Sequence, residues 1–230
     1  MPVPPSAATT ALVYGAATPA DAALILAHGA GAGQRSPFMV DFARGIAARG
    51  IDVVTFDFLY TEQRRRVPDR GPLLETCYRA VIELVSEEVD SARHALFIGG
   101  KSMGGRIATQ VAAAGLTQPI AGLVLLGYPL HPPGRPDVRR DAHLSAVKRP
   151  MLFAQGSRDT FGSPAELAPL SASLDPPPTF HVIDGGDHSF KLSRRDAAAQ
   201  AAVYAQAQQN VAAWIEALIG RSAPGRLHST

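Results

Sequence analysis

The stretch Ala95-Leu96-Phe97-Ile98-Gly99-Gly100-Lys101-Ser102-Met103-Gly104-Gly105-Arg106-Ile107-Ala108-Thr109-Gln110-Val111-Ala112 decides the reading of this 230-residue chain. Its first four residues form an unbroken apolar run, the mark of a strand buried on both faces. Ile107, Ala108, Val111 and Ala112 then recur at helical spacing. Between them, Gly100-Lys101-Ser102-Met103-Gly104 matches G-x-S-x-G. Strand, sharp turn and helix is the context in which this pattern sets a serine on a strained turn with its Oγ projecting. Glycines flank the serine because a Cβ there would collide with neighbouring elements, and Gly99 and Gly105 add clearance. Ser102 then sits at a helix N-terminus, where the dipole favours developing negative charge. The competing reading is a glycine-rich turn with an incidental serine.

Similar apolar runs occur at Ala23–Ala27, 53–56, 123–126 and 151–154. A sixth strand is predicted at Thr179–Ile183 and a weaker one at 11–15. Helical patterns lie between them: Leu74, Cys77, Tyr78, Val81, Ile82 and Val85, and later Val203, Ala207, Val211, Trp214, Ile215 and Leu218. Strands alternating with helices predict an α/β fold. The expected architecture is a mostly parallel central sheet of about 6–8 strands with helices on both faces. A single domain is expected over 1–219, with a frayed tail over 220–230. The segment 127–150, between two strands, is too short for a separate cap domain, so any pocket is covered by loops at most and is expected to be open.

Composition sets the outer limits. Apolar residues make up 46% and charged residues 18%, which excludes a disordered chain. The longest apolar runs fall short of a membrane span, so no membrane association is expected. One cysteine excludes a disulfide framework and a Cys-rich zinc site. A net charge of +2 without a long Lys/Arg tract gives no nucleic-acid footprint. The start, at residues 1–5, lacks a basic region followed by an apolar one, so a cytoplasmic location is expected.

A serine hydroxyl needs a base. Among seven histidines, His188 stands in Gly185-Gly186-Asp187-His188-Ser189-Phe190, just after a strand, where α/β sites form. His94, His181 and His228 fall at a strand start, inside a strand and in the tail, and His143 in a polar, solvated segment. The acid should lie between serine and histidine in sequence. Asp159, in Gln155-Gly156-Ser157-Arg158-Asp159, fits and is preferred, with Asp184 and Asp187 as competitors. A residue beside the histidine more often caps its own turn. Oxyanion donors are expected from the Met103 N–H and from the loop Ala27-His28-Gly29-Ala30-Gly31-Ala32-Gly33, with the Ala30 N–H preferred. The competing reading of that loop is a dinucleotide site, with Asp57 near the distance of the acidic residue such sites use, although the G-x-G-x-x-G spacing is missing. His28 reads as a buried hydrogen-bonding residue.

With Ser102, Asp159 and His188 in place, the chain resembles the α/β-hydrolase superfamily, and within it the small dienelactone-hydrolase-related branch of bacterial hydrolases. Relatives of that branch include a testis-expressed protein and a subunit of a chromatin acetyltransferase complex. The resemblance runs from about residue 22 to 219. It rests on His28-Gly29-Ala30-Gly31, the serine elbow Gly100-Lys101-Ser102-Met103-Gly104-Gly105, Gly127-Tyr128-Pro129-Leu130-His131-Pro132-Pro133-Gly134, Gln155-Gly156-Ser157-Arg158-Asp159 and Gly186-Asp187-His188-Ser189-Phe190. It implies a serine-hydrolase site with no metal and no organic cofactor. The expected substrate is a small-molecule ester, with thioesters and peptides open to the same machinery. A non-catalytic interaction protein on this fold and a nucleotide-binding protein are the alternatives.

Gly29, Lys101, Tyr128 and His131 are candidate substrate contacts. Lys101 reads equally well as a solvated or ion-paired lysine, and Tyr128 and His131 as loop packing. Arg64, Arg65, Arg66 and Arg70 form a basic cluster best read as a solvated loop. Cys77 falls on an apolar stripe and reads as core.

Overall fold

The computed structural model describes residues 8–18, 20–193 and 196–222, the last two by backbone alone. The chain start at 1–5, His228 and the tail beyond Ser222 lie outside the described residues. In chain order the elements are β1 (Ala11–Tyr14), β2 (Ala23–Ala27), α1 (Pro37–Ala47), β3 (Asp52–Phe56), α2 (Leu59–Glu62), α3 (Gly71–Glu88) and α4 (Asp90–His94). Then come β4 (Leu96–Lys101), α5 (Met103–Ala113), β5 (Gly122–Leu126), β6 (Met151–Gly156), α6 (Pro164–Leu167), β7 (Thr179–Ile183) and α7 (Ala197–Ser222). The strands form one sheet in the order β1-β3-β2-β4-β5-β6-β7. Each pair is parallel except β1, which runs antiparallel along β3.

The unbroken apolar runs follow from burial on both sides. In β2, Ala23, Ile25 and Ala27 face the core under α3 and α5, while Leu24 and Leu26 face the core under α1 and α7. All five β2 residues are fully buried. Helix α3 turns Leu74, Cys77, Tyr78, Val81, Ile82 and Val85 inward, the stripe read from the sequence. Burial pushes the Cys77 thiol up to about 11, so it is inert core. The segment between β5 and β6 contains only one short 3₁₀ turn, Leu144–Ala146, and no cap. Helix α7 runs through Ser222, three residues into the stretch expected to fray from Gly220.

The topology creates the crevice. The chain leaves β2 through α1 on one face and leaves β4 through α5 on the other, so the loops after these adjacent strands part at their C-terminal ends. A buried hydroxyl secures β4 just before that point. Tyr78 Oη donates to the Gly99 carbonyl at 2.6 Å and accepts the Gly99 N–H at 2.9 Å. Tyr78→Phe strands both backbone groups in the core. We expect a loss of about 1–3 kcal/mol of unfolding free energy in urea denaturation. An unchanged midpoint would show that Gly99 is satisfied otherwise.

Candidate active site

Ser102 occupies the turn between β4 and α5 with φ 50° and ψ −116°, a left-handed conformation that L residues rarely hold. Its N–H donates to the Leu126 carbonyl of β5 at 3.0 Å. The backbone before and after it presses on the end of β2: a Cβ at Gly100 would lie 2.4 Å from the Ala27 carbonyl oxygen, and one at Gly104 2.3 Å from the same atom. Only glycine fits at either position.

The Ser102 Oγ lies 2.8 Å from His188 Nε2. On the other side of the ring, His188 Nδ1 lies 2.8 Å from Asp159 Oδ2 and 3.0 Å from Oδ1. A carboxylate can only accept there, so the proton sits on Nδ1 and Nε2 offers its lone pair to the serine. Asp159 is 3% exposed and accepts two further hydrogen bonds, from Gln155 Nε2 and the Phe161 N–H, both at 2.8 Å. The Phe161 ring stacks on His188 with centroids 4.1 Å apart. The competing acids are occupied elsewhere. Asp187 Oδ1 accepts the N–H groups of Ser189 and Lys191, closing the histidine loop, and Asp184 lies beside Ser157 at 3.4 Å.

The glycine-rich loop after β2 lies against the elbow, and a Cβ on Gly29 would touch Ser102 Cβ at 3.5 Å. His28 holds it. Its Nδ1–H donates to the Gly29 carbonyl at 2.8 Å, and Nε2 accepts the Phe58 N–H at 3.2 Å. Burial lowers the His28 pKa, so the ring is a neutral strut. The Ala30 and Met103 N–H groups bond to no described residue, and both residues line the cleft. Asp57 accepts the Gln34 N–H at 2.7 Å, so its carboxylate pins this loop rather than waiting for a ribose.

Two candidate substrate contacts turn away from the cleft. Tyr128 is fully buried; its hydroxyl donates to the Arg140 carbonyl at 2.7 Å, and its ring packs on Phe153. His131 is buried with Nε2 3.0 Å from Glu166 Oε1. The chain turns inward after Gly127, so both residues organise the loop instead of its rim. Lys101 lines the cleft but is neither solvated nor ion-paired among the described residues. It is 7% exposed, and its Nζ donates to the His188 carbonyl at 2.6 Å, with Phe38 and Phe190 rings nearby. Burial pushes its pKa down to about 8. His143, expected in solvent, is half-buried against Thr109 Oγ1 at 2.8 Å.

Sequence reasoning missed Gln155, Phe161, Phe38, Arg106 and Arg140. Gln155 and Phe161 flank Asp159 at four and two residues, which was the available signal. The arginines reach the cleft only through tertiary folding. The cleft holds about 1110 Å³ and is walled by α1 and α7 on one side and α3, α5 and the segment after β5 on the other. Among the described residues no three His, Cys, Asp or Glu side chains gather as metal ligands. Nor is any described helix long and apolar enough to cross a membrane.

The model of the alpha/beta hydrolase domain matches residues 20–216. The chain belongs to the alpha/beta hydrolase family. Solved structures with the same fold include an alpha-beta serine hydrolase homologue from Coxiella burnetii (17% identity, 92% of this chain and 93% of that one, TM-score 0.72). A serine hydrolase without a lid from Xanthomonas campestris is 21% identical over 98% of this chain and 99% of that one, with TM-score 0.68. A dienelactone hydrolase from Anabaena variabilis is 20% identical over 87% and 89%, with TM-score 0.65. This hydrolase therefore carries the family sheet, and no cap is inserted between β5 and β6.

Burial lowers the His188 pKa below the ordinary 6.5; Asp159 opposes this, and the Lys101 charge adds to it. The His188 ring should titrate below 6.5 by NMR. Lys101→Met should move the midpoint upward; a midpoint that stays or falls contradicts this electrostatic role for Lys101.

Proposed function

We propose that this hydrolase cleaves an ester of a small or medium acyl group through an acyl-enzyme on Ser102. The observation that carries this reading is the unbroken hydrogen-bond line from Ser102 Oγ through His188 to the buried Asp159. In the first half-reaction Ser102 Oγ bonds to the substrate carbonyl carbon while its proton passes to His188 Nε2. Asp159 holds the ring tautomer and stabilises the imidazolium. The negative oxygen of the tetrahedral intermediate is held by the Met103 and Ala30 N–H groups, each contributing about 2.7–4 kcal/mol to barrier lowering. The carbon–oxygen bond to the alcohol then breaks, and His188 returns its proton to the departing alkoxide. In the second half a water gives its proton to His188 and its oxygen to the acyl carbon, and Ser102 leaves with the proton restored.

A lowered His188 pKa supports this role, because the base must be neutral to accept a proton. The kcat/KM should fall as pH drops through a midpoint below 6.5, since protonated His188 has no lone pair for Ser102. A fluorophosphonate probe should label the wild type, and Ser102→Ala should abolish labelling. Absence of labelling in folded wild type would favour a non-catalytic interaction protein instead. On a p-nitrophenyl ester, Asp159→Asn should lower kcat by about 10²–10⁴-fold. Asp187→Asn should cost far less, because that carboxylate closes its own turn; the reverse order would overturn the assignment.

A further inference from the structure

Two arginines line the cleft, neither ion-paired with a carboxylate among the described residues. Arg106 lies one turn along α5 from Ser102, its N–H donating to the Ser102 carbonyl at 3.1 Å. Its Nη1 reaches Gln110 Oε1 at 3.2 Å, but Nε is buried with no hydrogen-bond partner among the described residues. Arg140 lines the same cleft from the segment between β5 and β6. Its backbone is fixed by the Leu130 carbonyl at 2.8 Å and the Tyr128 hydroxyl at 2.7 Å. Its guanidinium makes no ion pair or side-chain hydrogen bond with a described residue.

Such an arrangement is costly without a ligand. Arg106 is partly desolvated, and Arg140 adds repulsion. The nearby carboxylates do not neutralise the pair. Glu75 is outside ion-pair distance, Asp141 is bonded to Arg139, and Asp69 is bonded to Arg65 with one oxygen unpartnered. Counted over the cleft, Lys101, Arg106, Arg140 and Lys191 outnumber Asp41 and Asp69. Asp41 in turn accepts from Gln208. The Arg106 Nη2 and the whole Arg140 guanidinium have no protein acceptor among the described residues, and such planar N–H donors match the oxygens of a carboxylate.

We propose that Arg106 and Arg140 form a carboxylate subsite, so that the preferred substrate is an ester carrying a second, free carboxylate, such as a half-ester of a dicarboxylic acid. This rests on the reading of Ser102 as the acylated nucleophile. The buried Tyr128 hydroxyl fixes the backbone that presents Arg140.

The test compares kcat/KM for mono-p-nitrophenyl adipate and p-nitrophenyl hexanoate, which differ in the terminal carboxylate. The wild type should favour the adipate half-ester by about tenfold or more, as charge-assisted hydrogen bonds warrant. Arg140→Gln should cut that ratio about tenfold, and Arg140→Lys should cut it less, keeping charge but losing the fork. Arg106→Gln should act the same way; if it does not fold, Arg140→Gln decides. A wild type indifferent to the carboxylate, or a ratio unmoved by Arg140→Gln, overturns the subsite. Calorimetric titration of Ser102→Ala protein with adipate tests the subsite apart from turnover. Binding that disappears in Ser102→Ala/Arg140→Gln upholds it, even if no ester is hydrolysed and the Ser102 reading fails. No adipate binding, or binding of inorganic phosphate in its place, overturns it.

Discussion

The contact between the elbow backbone and the Ala27 carbonyl governs the site. Gly100 and Gly104 let the turn after β4 lie on the end of β2 with no side chain between them. That approach brings the loop after β2 against the turn, where a Cβ on Gly29 would touch Ser102 Cβ, and both Ala30 and Met103 line the cleft. It also holds Ser102 at positive φ, a strain of about 1–3 kcal/mol that the surrounding sheet must offset. The offset comes from fixed neighbours: the Leu126 carbonyl binds the serine N–H, and Tyr78 satisfies Gly99 just upstream.

Around this centre, buried polar side chains act as braces. Gln155 takes the Tyr128 N–H on its oxygen and donates to Asp159 and to the Gly162 carbonyl, so one amide ties the loop after β5 to the loop after β6. Lys101 reaches from the end of β4 to the His188 carbonyl and joins that strand to the loop carrying His188. These braces explain an ordered site in a hydrolase without a cap. Among the described residues no cap element lies between β5 and β6, so the site's geometry is held from below.

Most of the frame was legible because the strands β2 to β6 are buried on both faces and therefore read as apolar runs. Ala23–Ala27 was delimited to the residue. β4 was read too short, because its glycines continue the strand while contributing no hydropathy. The antiparallel course of β1 leaves no mark in composition; it depends on how the chain enters β2. Ser102, His188 and Asp159 were readable because strand-end loops in this architecture converge on one edge. Tyr128 and His131 misled for the same reason, since following a strand does not determine whether a side chain turns toward the cleft or the core. Arg106 and Arg140 were invisible because one occupies an ordinary helical position and the other a loop whose path Tyr128 sets.

Family membership accounts for the sheet, and the groups around Ser102 belong to this chain's own sequence. The most direct test of Ser102 as a nucleophile is intact-mass and peptide mass spectrometry of enzyme quenched in acid during turnover of a p-nitrophenyl ester. Acyl transfer through Ser102 requires a mass increase equal to the acyl group, located on the peptide containing Ser102. Steady turnover with no adduct under conditions where deacylation is slowed, or an adduct on another residue, would contradict it.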